Sequence, residues 1–147
     1  MKEYTLHGET KSLEIKPGFT DGHTITLPHE HGSVHLHIVQ TVHSNYSRKG
    51  NDLIYKHNVS LVDALNASPV KFKTLDGRTL NISVDQIISP QSVKIVEDEG
   101  MPVYDPEDEK VTVTSDKRGK LFIVFNIQFP KNLNEDKKKR LVQVLNL

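Results

Sequence analysis

The chain has no cysteine and no tryptophan, and aromatic residues make up only 6% of its 147 positions. Without thiols there are no disulfides, no thiolate metal sites and no cysteine nucleophile, and the redox compartment is left open. Long apolar runs are missing too. Nothing approaches the ~18–20 residues a helix needs to cross a bilayer, and Met1-Lys2-Glu3-Tyr4 opens without the apolar stretch of a signal peptide. Nor is there a charge excess: Lys and Arg number 19, Asp and Glu 19. Long-range attraction to nucleic acid or to an anionic membrane is therefore not expected. No Gly-x-Ser-x-Gly elbow, phosphate-cradling glycine loop or His-Glu-x-x-His pair occurs. Glu97, Asp98 and Glu99 are neighbours in sequence and nothing more, so an exposed acidic loop accounts for them. Neither catalysis nor a cofactor is expected.

What is present is alternation. Apolar residues are 35% and charged residues 26%, a polar balance in which period-two patterning marks half-buried strands. Leu13-Glu14-Ile15 precedes the turn composition Lys16-Pro17-Gly18. His23 to Leu27 alternates, with Pro28 expected to end it. In Val34-His35-Leu36-His37-Ile38 the aliphatics point one way and the histidines the other. The polar stretch from His43 to Asp52 reads as turn and linker. Leu53 to Val59 reads as a strand. Ser60 then stands as helix cap before Leu61-Val62-Asp63-Ala64-Leu65, with Asp63 in a capping-box-like place. Val70–Thr74 and Leu80–Val84 flank Asp76-Gly77, which predicts a tight hairpin. Val93–Val96 predicts a further strand, and an acidic irregular passage runs from Asp105 to Glu109. Leu121 to Phe129 is nearly continuous apolar, as a covered central strand would be, and Pro130 stops it.

The period changes at the end. Asn134 is a candidate cap, Glu135 and Asp136 sit where the helix dipole favours anions, and Leu141, Val144 and Leu145 fall on one face. A lone helix of ~12 residues needs something to dock against. The stripe therefore has to be covered, by its own domain or by another chain. Lys137-Lys138-Lys139-Arg140 reads as a solvated face, since no aromatics interleave with the cations.

The eight histidines carry a separate reading. His29, His31, His35 and His37 are spaced across a turn and a strand. Two of them share a strand face and the turn pair is able to fold over, a possible divalent-ion set with Glu30 adding an oxygen. Unpaired surface histidines are common, and clustered imidazoles also make a surface that charges as the pH falls toward ~6.5.

Five segments occur in an order that resembles the C-terminal half of DnaJ-type co-chaperones, a heat-shock protein family. They are Gly50–Tyr55, Ser60–Leu65, Thr74–Arg78, Glu99–Pro102 and Phe125–Pro130. Upstream, Ile15-Lys16-Pro17-Gly18-Phe19-Thr20-Asp21-Gly22 with Ile25-Thr26-Leu27 is similar to the family's opening strand pair, so the likeness covers roughly residues 10 to 147. The chain lacks the His-Pro-Asp tripeptide of the J domain and the cysteine-rich zinc module. Three departures stand out: the histidines at 35 and 37, the loss of the first glycine before Glu99-Gly100-Met101-Pro102, and a longer segment from Tyr104 to Arg118.

The resemblance implies a mainly β fold of two small β-sandwich-like subdomains, the first truncated and lacking its opening strand, plus a C-terminal α-helix. The implied boundaries are 1–47, 48–132 and 133–147. It also implies a cytoplasmic co-chaperone that holds unfolded client polypeptides, works with a DnaK-type ATPase and forms a homodimer through Leu141, Val144, Leu145 and Leu147. In the family a client segment adds to a strand edge above an apolar groove, where backbone groups give affinity and alternate pockets give preference. Tyr4, Leu6, Leu36 and Ile38 are the matching candidates. Alternate aliphatics on a strand usually face a core, whereas the amphipathic ring of Tyr4 suits a wet edge.

Overall fold

Alternating segments become strands where their apolar positions find something to cover. The computed structural model describes residues 1–107 and 117–146, and it is mainly β, with 42% strand and 12% helix. The elements run β1 (Lys2–Leu6), β2 (Glu9–Leu13), β3 (Thr24–His29), β4 (Gly32–His37), β5 (Tyr46–Lys49), β6 (Asp52–Ser60), α1 (Leu61–Leu65), β7 (Val70–Lys73), β8 (Thr79–Ile82), β9 (Val93–Val96), β10 (Leu121–Gln128) and α2 (Glu135–Leu145). Three antiparallel hairpins, β1–β2, β3–β4 and β7–β8, accompany a four-stranded sheet of order β5-β6-β10-β9. Leu147 and the end of the acidic passage, Asp108 and Glu109, lie outside the described residues.

The chain divides into two compact units, residues 1–56 with 93–123 and residues 57–92 with 124–147. In the first, Leu53, Leu121 and Ile123 are buried. Backbone contact is close around them. A Cβ on Gly100 would meet the Asn51 carbonyl oxygen at 2.6 Å, and one on Gly119 would overlap it. The Met101 amide donates to that same oxygen at 2.8 Å. Gly100 is therefore the glycine of the Glu99-Gly100-Met101-Pro102 segment that packing requires. Gly18, at φ 91°, lies against Pro102 and Tyr104. Phe19 stacks on His23 at 4.1 Å and meets Tyr104 edge-on at 4.7 Å.

The second unit buries Val59, Ala64, Val70, Phe72, Ile88 and Phe125. Its short helix forms as the sequence predicts. The Ser60 hydroxyl accepts the Asp63 amide at 3.1 Å and donates to the Asp63 carboxylate at 2.7 Å, satisfying an amide the first turn leaves free. Asn134 caps α2 in the same way, accepting the Lys137 amide at 2.8 Å.

Several expectations need correction. The polar stretch read as linker contains β5, paired to β6 from Tyr46↔Tyr55 to Lys49↔Asp52 around a Gly50-Asn51 turn. Its half-buried positions are Tyr46 and Arg48, and the Arg48 guanidinium donates to the carbonyls of Phe19 (2.7 Å), Gly18 (2.9 Å) and Gly50 (2.7 Å). A side chain that crosslinks loops carries no hydrophobic signal. Pro28 does not end β3. It pairs with Ser33, and since β4 is the only strand hydrogen-bonded to β3 among the described residues, an outward position loses nothing by lacking an N–H. The strand read at Leu13-Glu14-Ile15 is β2, which ends at Leu13. In the β7–β8 turn only Gly77 has positive φ (91°). Asp76 serves through its carboxylate, and the loop is longer than the tight turn expected, closed by the Thr74 amide on the Arg78 carbonyl at 2.8 Å.

Candidate functional site

The register of β3–β4 sorts its residues into two faces. Ile25↔Leu36 and Leu27↔Val34 form one, half-buried; Thr24↔His37 and Thr26↔His35 form the other, exposed. Ile38 lies just past β4 and extends the pairing, donating to the His23 carbonyl at 2.8 Å and accepting the Gly22 amide at 2.9 Å. Of the peptide-binding candidates, Leu36 and Ile38 are half-buried here, and Tyr4 and Leu6 are half-buried on β1. None of the four reaches a fully buried position. An apolar face of this kind stays shallow: it is covered enough to be dry in part and open enough to receive more chain.

β1 and β2 turn through His7-Gly8, both at positive φ (49° and 86°), as a two-residue hairpin loop demands. The register places Tyr4 opposite Lys11 and Leu6 opposite Glu9. These tips and the Glu30-His31 turn of β3–β4 border an open cleft of about 520 Å³, with Leu6 and Pro28 as its apolar lining. The His7 and His29 rings lie 5.6 Å apart and the His29 and His31 rings 6.4 Å apart.

The four histidines named from sequence are divided by this geometry. His35 and His37 share a face, but their ring nitrogens already meet cross-strand hydroxyls. Nδ1 of His37 lies 2.9 Å from Thr24 Oγ1, Nδ1 of His35 lies 3.0 Å from Thr26 Oγ1, and Nε2 of His35 lies 3.3 Å from Ser33 Oγ. His29 projects from the opposite face, and His31 sits in the turn. Among the described residues no three His, Asp or Glu groups are placed to hold a metal ion. His7, Glu9 and Lys11, which the sequence reading did not single out, join His29, Glu30 and His31 instead. Tyr4 and Leu6 alternate in β1, but β2 is polar up to Leu13, and nothing in one sequence says that two hairpin tips meet.

α2 buries none of its residues. Leu141 is 40% exposed, Leu145 61% and Val144 74%, and Val142 adds to the open apolar surface. Among the described residues, then, nothing buries the stripe. His57, half-buried with its ring edge-on to Phe125 at 6.2 Å, has its pKa pushed down by burial; it packs in the second unit and belongs to none of these surfaces. Among the described residues no helix is long and apolar enough to cross a membrane.

The sequence model of the DnaJ C terminal domain matches residues 3–130, beginning upstream of the segments that first resembled it. DnaJ protein homolog ANJ1 of Atriplex nummularia is 35% identical over 93% of this chain, and DnaJ homolog subfamily B member 13 of Homo sapiens 34% identical over 96%. DnaJ protein ERDJ3B of Arabidopsis thaliana is 31% identical over 97%. The chain spans 34%, 45% and 41% of the length of these three relatives. With 128 residues under one family match, this chain belongs to the DnaJ C-terminal domain family.

Proposed function

We propose that the chain holds unfolded client segments on the first unit and pairs with a second copy through α2. The observation that carries this reading is the shallow apolar surface of the N-terminal hairpins. Ile25, Leu27, Val34 and Leu36 on β3–β4, and Tyr4 and Leu6 on β1, are all half-buried. Each of these strands has a single hydrogen-bonded neighbour among the described residues. An extended client segment would take up an unpaired edge through its backbone and lay alternate side chains on the apolar positions. Tyr4, Leu6, Leu36 and Ile38 are the proposed contacts.

For α2, Leu141, Val144 and Leu145 supply the dimer stripe, continued by Leu147 from the sequence. Each aliphatic buried against a second copy contributes ~1.5–3 kcal/mol, enough in sum for a modest dimer. Family resemblance adds the DnaK-type partner, a cytoplasmic setting and the division at 1–47, 48–132 and 133–147. The test is aggregation of a chemically denatured model enzyme diluted into buffer with and without this protein. The wild type is expected to suppress light scattering at stoichiometric ratio, and Tyr4→Ser with Leu6→Ser to lose most of that suppression while keeping the far-UV spectrum. Wild-type protein that leaves aggregation unchanged would remove the reading.

A further inference from the structure

The chain holds two Asp-Gly pairs, Asp21-Gly22 and Asp76-Gly77, and no Asn-Gly. An Asp-Gly pair can rearrange its own backbone, because glycine has no side chain to shield its nitrogen from the preceding carboxyl. The glycine nitrogen bonds to the aspartate Cγ, and its proton leaves with a carboxyl oxygen and a solvent proton as water. The five-membered succinimide that results takes up water again at either carbonyl. Opening at Cγ restores aspartate; opening at the α-carbonyl gives isoaspartate, with the chain running through the side chain and one methylene longer.

The two pairs match in most respects. All four residues are exposed, Gly22 and Gly77 both have positive φ (79° and 91°), and a Cβ on either glycine would meet nothing within 4 Å. Both glycine amides donate to a carbonyl, Gly22 to Ile38 at 2.9 Å and Gly77 to Thr74 at 3.1 Å. The carboxylates differ. Asp76 accepts Arg78 Nε at 3.1 and 3.0 Å, has Arg78 Nη2 at 2.9 Å, and accepts the Thr74 hydroxyl as well. Asp21 accepts the Gln40 amide at 2.8 Å, and among the described residues no cation pairs with it. A carboxylate gripped by a charged fork stays ionised, the less electrophilic form, and its Cγ is held in place. We infer that Asp21-Gly22 is a site of isoaspartate formation in the folded protein, and that Arg78 suppresses the same reaction at Asp76-Gly77. The added methylene at position 21 would fall beside the Gly22–Ile38 hydrogen bond that extends the β3–β4 pairing. The product there is a substrate for the class of enzyme that methylates isoaspartyl carboxyls.

The test ages the full chain, folded, at physiological temperature and near-neutral pH. Isoaspartate is read by transfer of labelled methyl from S-adenosylmethionine with an isoaspartyl methyltransferase, and located by peptide mapping. Label at Asp21 is expected to exceed label at Asp76 by about fivefold or more, a tenfold change in protonated fraction going with each pKa unit. In urea, where the fork is lost, the two sites should label alike, which calibrates their neighbouring residues. Asp21→Glu, unable to close a five-membered ring, should lose the label at 21. Arg78→Gln should raise label at 76 to the level at 21, and Arg78→Lys, which keeps the charge without the fork, should fall between. Equal labelling of the two sites in folded wild type, no label at 21 when the denatured chain labels there, or an Arg78→Gln variant with no rise at 76 overturns the inference. Hydrogen exchange at the Thr74 amide, which donates to the Arg78 carbonyl, checks turn closure. A rise at 76 accompanied by lost protection there would assign the effect to turn opening and overturn the role given to Arg78.

Discussion

The hairpins β3–β4 and β7–β8 read alike in sequence and end at different depths. Both alternate, both are antiparallel, and both close on a glycine or proline-rich turn region. In β7, Val70 is 1% exposed and Phe72 6%. In β3–β4 no residue is buried, and Ile25, Leu27, Val34 and Leu36 are only half-covered. Alternation states which side of a strand faces inward. It does not state how much lies against that side. The second unit supplies Ala64, Ile88 and Phe125 as buried company for β7, whereas the apolar face of β3–β4 stays shallow.

The comparison is broken most directly by truncating one residue on each hairpin. Phe72→Ala removes a buried ring and should lower unfolding stability by about 3–5 kcal/mol in urea titration. Leu36→Ala removes a half-covered side chain and should cost about 1 kcal/mol. Equal losses would mean that β3–β4 is as deeply held as β7–β8, and the contrast in depth would be wrong.

A second contrast sets β10 against α2. Leu121, Ile123 and Phe125 are buried, yet Leu141, Val144 and Leu145, as apolar by composition, are open. Leu141→Glu with Leu145→Glu is expected to halve the solution mass measured by light scattering. The same pair should shift unfolding stability of the monomeric protein by no more than about 0.5 kcal/mol, as exposed substitutions do. An unchanged mass would leave the stripe without a partner copy.

Much of this was legible in residues alone. Ser60 and Asn134 announce their caps because a side-chain oxygen must meet free amides, and the period change at Asn134 marks α2. The central place of β10 follows from its nearly continuous apolar run. β5 was hidden because Arg48, one of its two half-buried residues, works through three carbonyls and so looks like a linker charge. The histidines misled in another way. His35 and His37 do share a face, but their neighbours Thr24, Thr26 and Ser33 engage the ring nitrogens, and cross-strand register is not written in a single segment. The cleft was invisible because it depends on two hairpin tips meeting, a long-range fact with no local pattern.

The smallest expected effect separates the hairpins by their turns. Asp76 in the β7–β8 turn accepts from Arg78 Nε at 3.1 and 3.0 Å through its two oxygens, and Arg78 Nη2 lies at 2.9 Å. The Arg78 side-chain hydrogen bonds hold the carboxyl well below the usual carboxylate range, against a modest desolvation penalty, with Thr74 and the Arg78 amide assisting. A carboxyl whose folded pKa is depressed adds stability at neutral pH, and that stability fades as the pH drops below ~4 toward the folded value. Solvent screening at this exposed turn limits it to about 0.5 kcal/mol. Asp76→Asn should therefore be less stable than wild type by about that much at pH 7 in urea titration, with the gap narrowing between pH 4 and 2. The Glu30-His31 turn of β3–β4 holds no comparable ion pair among the described residues. A gap at Asp76 that stays constant down to pH 2 would show that the turn is held by its backbone geometry and Gly77, with no contribution from the ion pair.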